Sequence, residues 1–458
     1  MKQIIDYLKE IQKESPDLII KKVNNLYVVF IESVSSSDKV NEYVLKLIKK
    51  NKEIIGPNSK IINSNQLYNY LINGFTAIIN KNQIKVIETK ANLSRSIDLP
   101  NSEPSLTGPK DSFTENYQIN LGLIKRRIKD INLSIKNYTI GKRSKTNTSL
   151  LYIKDITDKK LINKIDNKLR IIDIDAIIDS ADLALLLEKD DKIAFPTIQK
   201  TERPDIVAKS LMEGKIAILV DTSCYALILP SFLIDFINPK TDEYSKSHNI
   251  NFVKILRLLC FAITLVFPAL YISLINYNQE TIPTSLLINF SMQRNGVPFP
   301  AVIEAFIMII LCEILRESDL RFPNSYGSAI SILGALIIGE AAVSAGIVSP
   351  IMIIVIAITF VTSLIFTEYE LINAIRHYRF VFLFSAATLG ILGVVFTTIC
   401  FIAKISSVYN YSNSFTFPIA PYEKEYFHKS LLKQKTNKDL KRSPLLASKN
   451  LTKQRRLP

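Results

Sequence analysis

Three acidic residues stand where acids are costly. Glu304, Glu313 and Glu340 lie within long apolar stretches of the chain. A charge at the centre of a bilayer-depth helix costs roughly 2.5–3.5 kcal/mol on insertion scales, so such residues usually face protein or water and often mark a pathway for ions or protons. Glu304 and Glu313 are nine positions apart. At about 100° per residue they point to opposite faces of a straight helix and cannot line one wall together. Glu313 sits one turn before Arg316, which permits an ion pair within the helix, and Arg321 continues the charged stretch. Glu304 and Glu340 are the expected water-facing pathway residues. Glu313, Arg316 and Arg321 are the expected ion-pair or gate residues.

Other residue types bear on how helices meet. Ala335, Gly339, Ala342 and Gly346 are spaced four, three and four apart, a small-residue face that lets transmembrane helices approach closely. Glu340 lies off that stripe. A helix with one packing face and one polar face suits an oligomeric channel, and it suits a compact monomeric bundle nearly as well. Pro298 and Pro300 shape the turn entering the helix that carries Glu304, and Pro350 marks a further turn.

Enzyme signals are weak. His248, His377 and His428 form no HExxH, GxSxG is absent, and around Gly141-Lys142 the P-loop pattern fails at Lys136 and Arg143. Cys260, Cys312 and Cys400 sit in apolar stretches and Cys224 beside a strand-like run, with no zinc or disulfide spacing. No cofactor or metal is expected.

The elements that must hold these residues divide the chain unevenly. Charged residues crowd the first half and the last fifty or so positions, while long apolar runs lie between. Met1 to Asn25 has no continuous apolar core and carries acids, so it does not read as a secretory signal, and the first half is expected to stay on the side where it is made. The pattern predicts an α/β soluble N-terminal region in two subdomains, residues 1–100 and 101–250. An α-helical transmembrane bundle follows over residues 251–403, then a basic, partly disordered tail over 404–458. Expected strands are Tyr27–Ile31, Phe75–Ile79, Ile84–Ile87, Leu150–Ile153, Ile171–Ile174, Lys215–Val220 and Tyr225–Leu229. Expected helices are Ser112–Asp130, Thr157–Leu169, Ser180–Glu188 and Pro204–Glu213, and the polar passage Asp98–Pro109 separates the subdomains.

Apolar runs in the membrane part are Leu258–Ile275, Ala301–Leu315, Ala329–Val348, Pro350–Phe366 and Phe380–Ala403. If the N-terminal region and the tail share the cytoplasmic side, complete spans must be even in number. The expectation is therefore about four spans, with Ala301–Leu315 as a short embedded or re-entrant helix. The segment Glu368–Arg379 then lies outside. The chain has 57 Lys+Arg against 42 Asp+Glu, a formal charge of +15, and residues after Ala403 hold much of the excess. The positive-inside rule accounts for basic residues in that position better than nucleic-acid binding, which needs a basic folded face with aromatic platforms or a known module. No nucleic-acid partner is expected.

Several longer motifs occur in order. They include Glu103-Pro104, Gly108-Pro109, Phe113-Thr-Glu115, Lys125-Arg-Arg-Ile128, Gly214-Lys-Ile-Ala-Ile-Leu-Val-Asp221 and Leu256-Arg-Leu-Leu259. Gly296-Val-Pro-Phe-Pro300, Glu313-Ile-Leu-Arg-Glu317, Arg321-Phe-Pro323 and Ala345-Gly-Ile-Val-Ser-Pro350 follow. Over roughly Pro104 to Phe384 the chain resembles the A subunit of the GerA-type spore germinant receptors. The resemblance implies residence in the spore inner membrane, with the N-terminal region and tail on the core side. It implies work alongside a transporter-like B subunit and a lipoprotein C subunit. It further implies assembly into a homo-oligomeric ring that conducts ions when a small nutrient, an amino acid or sugar, binds mainly on the B subunit. A non-conducting scaffold subunit and a secondary transporter are the alternatives, the latter disfavoured because neither GVPFP nor AGIVSP recurs. The chain departs from the family at Ile309, where an acid is usual, at Glu340, where Gln is usual, and around Thr367–Tyr369, which lacks a common Pro.

Overall fold

Short apolar runs buried on both faces set the central strands of the N-terminal half, and short turns decide how they pair. The computed structural model describes residues 2–453 apart from residues 25, 50–55, 81–82, 92–107, 189–193, 322–326, 412, 434–439 and 448–449. The Asp98–Pro109 passage lies almost wholly outside the described residues.

The first sheet comprises β1 (Leu18–Val23), β2 (Leu26–Ile31), β3 (Lys60–Ile62), β4 (Phe75–Ile79) and β5 (Ile84–Glu88), in the order β1-β2-β4-β5-β3. The second comprises β6 (Leu133–Ile140), β7 (Thr146–Ile153), β8 (Gln199–Thr201), β9 (Ile216–Val220) and β10 (Ala226–Leu229), in the order β6-β7-β9-β10-β8. One arrangement is therefore used twice: a hairpin, a helical crossover, an edge strand, a helix and a second hairpin. Every pairing among these strands is antiparallel. Strand–helix alternation often builds parallel sheets, but here each edge strand goes to the outside and leaves the two hairpins to pair in the middle.

Helices flank the sheets. α1 (Lys2–Glu14) precedes the first sheet, and short pieces α2 (Ser37–Val40), α3 (Lys46–Lys49) and α4 (Leu67–Ile72) connect its strands. Around the second sheet run α5 (Tyr117–Arg127), α6 (Lys159–Ile171), α7 (Ser180–Leu187) and α8 (Pro204–Met212). Side chains of Asn116 and Asp158 accept from first-turn amides of α5 and α6, and Asp179 and Asp182 form a capping box on α7. α5 and α8 cover one apolar face of the second sheet, and α6 and α7 cover the other, so β9 is buried along its whole length. Gly74 and Gly214 end α4 and α8 at φ +86° and +95°, at equivalent points of the two units.

The expected strand Ile171–Ile174 is absent. α6 carries on to Ile171, which is 78% exposed, and the following residues form a turn in which Lys142 and Arg143 N–H groups donate to the carbonyls of Ile174 and Asp175.

After α9 (Leu233–Ile237), the C-terminal helices are α10 (Ser247–Asn276), α11 (Thr284–Arg294), α12 (Ala301–Arg321), α13 (Gly327–Ser344), α14 (Pro350–Ser363) and α15 (Tyr369–Ser407). Among the described residues, α10 and α15 are long and apolar enough to cross a membrane, while α14 is apolar but shorter. The expected count of four spans does not follow from these.

α15 is not one rod. Gly390 has φ 61° and ψ −140°, and the Tyr378 and Phe401 ring centroids are 4.8 Å apart. On a continuous helix those positions would be about 34 Å apart. The chain therefore folds back at Gly390 into two antiparallel arms of roughly 30 and 25 Å. The run Phe380–Ala403, expected as a single span, is divided between them.

Contacts at both ends fix the directions. α10 leaves the α/β region, where Arg257 pairs with Asp242 at 2.5 Å and Lys254 Nζ donates to the Ser430 carbonyl. Its far end meets the bend, with Tyr277 Oη donating to the Ala387 carbonyl at 2.5 Å. α12 returns, α13 goes out, α14 returns, and the two arms of α15 go out and back, which makes six passes of the bundle among the described residues. The start of α15 rests on the α/β region through Lys200–Glu370 at 2.5 Å and Phe195 stacked on Tyr378. The Glu368–Arg379 segment therefore begins at the same end of the bundle as the α/β region, not at the opposite end as the parity argument had it. Six is still even, so the tail returns to the α/β side.

The tail's described residues are folded onto the α/β region. A two-residue hairpin (β11 Tyr409–Asn410, β12 Asn413–Ser414) leads to α16 (Lys424–Ser430). Asn410 Nδ2 donates to the carbonyls of Thr197 and Ser231. Phe415, Phe417, Leu446 and Ala447 are fully buried, the last two beside Gly214.

Candidate functional site

Charge inside the helical bundle is gathered in two layers, one at each end of α12. In the outer layer, Glu304 occupies the first turn of α12 with no solvent exposure. Its Oε2 accepts from Ser349 N–H at 2.9 Å and Ser349 Oγ at 2.8 Å, and Oε1 lies 3.4 Å from Arg294 Nη2. Ser349 is the N-cap of α14, and Pro350 follows as its first residue. The carboxylate thus sits at a helix N-terminus, where orphan amides and the dipole favour an anion. Gly296 (φ +91°) turns the chain after α11, and the Pro300 carbonyl accepts the first amides of α12. Pro298 and Pro300 themselves are exposed. The expectation of a water-facing Glu304 does not match this geometry: neighbouring helices seal it.

The inner layer lies toward the α/β region. Glu313 Oε2 is 2.6 Å from Arg376 Nε, and Glu313 Oε1 is 2.8 Å from Arg379 Nη2. The expected partner, Arg316, turns to α14 instead. Its Nη2 donates to Ser363 Oγ, and its guanidinium lies 4.9 Å from the Phe360 ring centroid. Glu304 and Glu313 do face different helices, as their spacing requires. Arg321 ends α12, and its side chain lies outside the described residues.

Glu340 is exposed on α13. A Cβ added to Gly339 would meet nothing within 4 Å, so that part of the small-residue face is open in the single chain. Ala342 packs against the core shared by α10, α12 and α14, while the side chain of Ala335 lies outside the described residues. Gly346 does not extend the stripe. It follows the end of α13 with φ +63°, its N–H donates to the Val343 carbonyl and that of Ile347 to Ala342, which is a Schellman cap. Ile309 is fully buried in the apolar core.

Sequence reasoning missed the partners rather than the acids. Arg294 and Ser349 lie 10 and 45 positions from Glu304, beyond any local rule. Arg376 and Arg379 carried a usable signal, since a three-residue spacing puts both on one helix face.

Outside the bundle, Glu368 and Lys200 line a cavity of about 200 Å³ with Phe236 and Thr367, where the α/β region meets the start of α15. Burial, with repulsion from Glu370 added, pushes Glu368 up to about 7. Buried Lys125 meets Asp17 at 2.6 Å and ties α5 to the first subdomain. Burial works to raise the Asp17 carboxyl, but Lys125 and the hydroxyls of Ser33 and Ser15 together hold it below its ordinary value.

A family model for the Bacillus/Clostridium GerA spore germination protein matches residues 6–445. The chain belongs to this family. It is 34% identical over 448 residues to spore germination protein KA of Bacillus subtilis, covering 93% of this chain and 82% of that protein. It is 32% identical over 416 residues to the uncharacterized membrane protein YfkQ of the same organism, covering 87% and 81%. Among solved structures, the N-terminal domain of the A subunit of the Bacillus megaterium spore germinant receptor GerK3 is 28% identical and aligns with a TM-score of 0.37, over 49% of this chain and 92% of that one. The GerA membership agrees with the motif resemblance.

Proposed function

We propose that this GerA-family chain is the membrane-embedded A subunit of a nutrient-sensing receptor that triggers spore germination, working by conformational coupling rather than catalysis. In this reading the six helical passes lie in the spore inner membrane, and the α/β region and tail share the core side. A transporter-like B subunit and a lipoprotein C subunit complete the receptor, and nutrient enters through the B subunit.

The observation that carries the membrane assignment is the outer surface of the bundle. Leu392, Val395, Phe396, Ile399 and Ile402 line the second arm of α15, each more than half exposed, with Leu392 at 76%. Ile354, Val361 and Leu364 on α14 and Ile314 on α12 are each about 60% exposed. An apolar surface of that extent around a charged interior suits lipid, not water.

For ion passage, the unsealed acid is Glu340, beside the open Gly339 face of α13. A pathway lined by copies of α13 in a ring fits this, with the outer Glu304 layer holding the bundle shut. The scaffold reading gains support from the same contacts, because Glu304 and Glu313 are each paired within the chain. Ion flux through liposomes that hold this chain together with its B and C subunits separates the two. Nutrient-dependent flux that changes cation preference in Glu340→Gln supports conduction. Absence of flux, in a protein still required for spores to respond, leaves the scaffold.

A further inference from the structure

Three arginines converge on one acid in the inner layer of the bundle. Arg376 and Arg379 grip Glu313 from α15. Arg316, one turn along α12, lies within electrostatic reach of Glu313, Arg376 and Arg379. Guanidinium groups keep their charge in proteins, so among the described residues this cluster carries an excess of two positive charges. Arg316 and Arg379 are 9% and 2% exposed. Part of the excess is met locally, because Arg316 lies at the carbonyl end of α14, donates to Ser363 and stacks near Phe360. Even so, among the described residues Arg316 Nη1 and Arg379 Nε have no hydrogen-bond partner, and Glu313 Oε2 meets Arg376 as an ion pair without a hydrogen bond. A buried donor left without an acceptor costs on the order of 1–3 kcal/mol, more when charged. Two such donors on neighbouring cations, in a cluster with excess positive charge, favour a further oxyanion.

The surroundings narrow its chemistry. Arg376 is 22% exposed along its side chain, so the cluster opens to the surface of the bundle. Beside it stand outward-facing apolar residues of α12 and α14: Ile310 at 48%, Ile314 at 59%, Val361 at 61% and Leu364 at 59% exposure. The paired N–H groups of arginine match a phosphoryl group, and the flanking aliphatic side chains match acyl chains.

We propose that Arg316, Arg376 and Arg379 form a binding site for a phosphoryl oxyanion, with Glu313 as the internal counter-ion that holds the arginines in register. An anionic phospholipid headgroup and free inorganic phosphate share that chemistry. The lipid source rests on the membrane reading above, and the phosphate source does not.

The test uses the full chain in nanodiscs of phosphatidylcholine with increasing phosphatidylglycerol, and separately in detergent with inorganic phosphate alone. Binding of a labelled phosphatidylglycerol is expected to weaken at least tenfold, about 1.4 kcal/mol, when Arg316→Gln and Arg376→Gln are combined. Arg376→Lys, which keeps the charge, is expected to retain most of it. Glu313→Gln frees the two arginines it occupies and is expected to tighten binding, which keeps the proposal testable if the double variant does not fold. Phosphate binding with the same arginine dependence, and no preference for phosphatidylglycerol, would assign the site to the free anion. Equal binding of either ligand by the parent protein, the arginine variants and Glu313→Gln overturns the site. Flotation of the chain with vesicles checks the membrane reading independently.

Discussion

Glu304 shows how a single carboxylate is accommodated where no water reaches it: two hydrogen bonds from Ser349, one ion pair with Arg294 and the start of α14. Glu304→Ala removes the acceptor and strands a guanidinium, so a loss of about 3 kcal/mol is expected in unfolding of the detergent-solubilised protein, with Glu304→Gln milder. Lys125→Met should cost about 3–5 kcal/mol, because Asp17 would stay buried without its cation. The depressed Asp17 carboxyl gives that pair a pH signature. Its stabilisation is present in full above the unfolded-state value near 3.8 and is lost as pH falls through the lower folded-state value. In Lys125→Met this acid-side slope should shrink. Glu368 behaves in the opposite sense. Its raised value means the folded state holds a proton that the unfolded state releases near 4.5, so stability falls as pH rises from about 4.5 to about 7. Glu368→Gln should flatten the melting temperature over that interval and leave the protein more stable than its parent at pH 8. An unchanged profile in that variant would show that Glu368 titrates normally.

Helices and strands differ in how far they could be read ahead of the structure. β4, Phe75–Ile79, matched to the residue, and β9 and β10 to within one, because short apolar runs bounded by Gly, Asn or Asp leave little room for another assignment. β8 was passed over since Gln199-Lys200-Thr201 carries no apolar alternation, and β1 because Lys21 and Lys22 interrupt it. The bend in α15 was hidden for another reason. Gly390 interrupts an apolar run without any charged residue nearby, so hydropathy sees one span where the backbone makes two arms. Its left-handed conformation is the testable part. Gly390→Ala should cost about 1–3 kcal/mol from backbone strain alone, with more from the approach of the added Cβ to Tyr277 at 2.9 Å. Tyr277→Gly, which removes the Cβ and ring atoms that the added methyl meets, should return the contact portion and none of the strain, which a double-mutant cycle on unfolding free energies will resolve.

Across the whole molecule, the division into a charged half and an apolar half was legible from composition, but the duplication of the five-stranded unit was not. The two copies keep strand order and the turn glycines Gly74 and Gly214, and strand order is a property of pairing rather than of local pattern. The tail was read from its charge, and its apolar anchors Phe415, Phe417, Leu446 and Ala447 were too scattered to be seen. Truncating a fully buried phenylalanine typically costs about 3–5 kcal/mol. Phe417→Ala should therefore loosen the tail and the second subdomain together, read as simultaneous loss of amide-exchange protection in α16 and around Phe232, its ring neighbour at 4.8 Å. That docking also sets a timetable for biosynthesis. Ala447 leaves the ribosome after every hydrophobic helix, yet it closes the core begun at Phe113, some three hundred residues earlier. The α/β region must wait, incomplete, until that last stretch has been made, so an early arrest of translation would leave its core open.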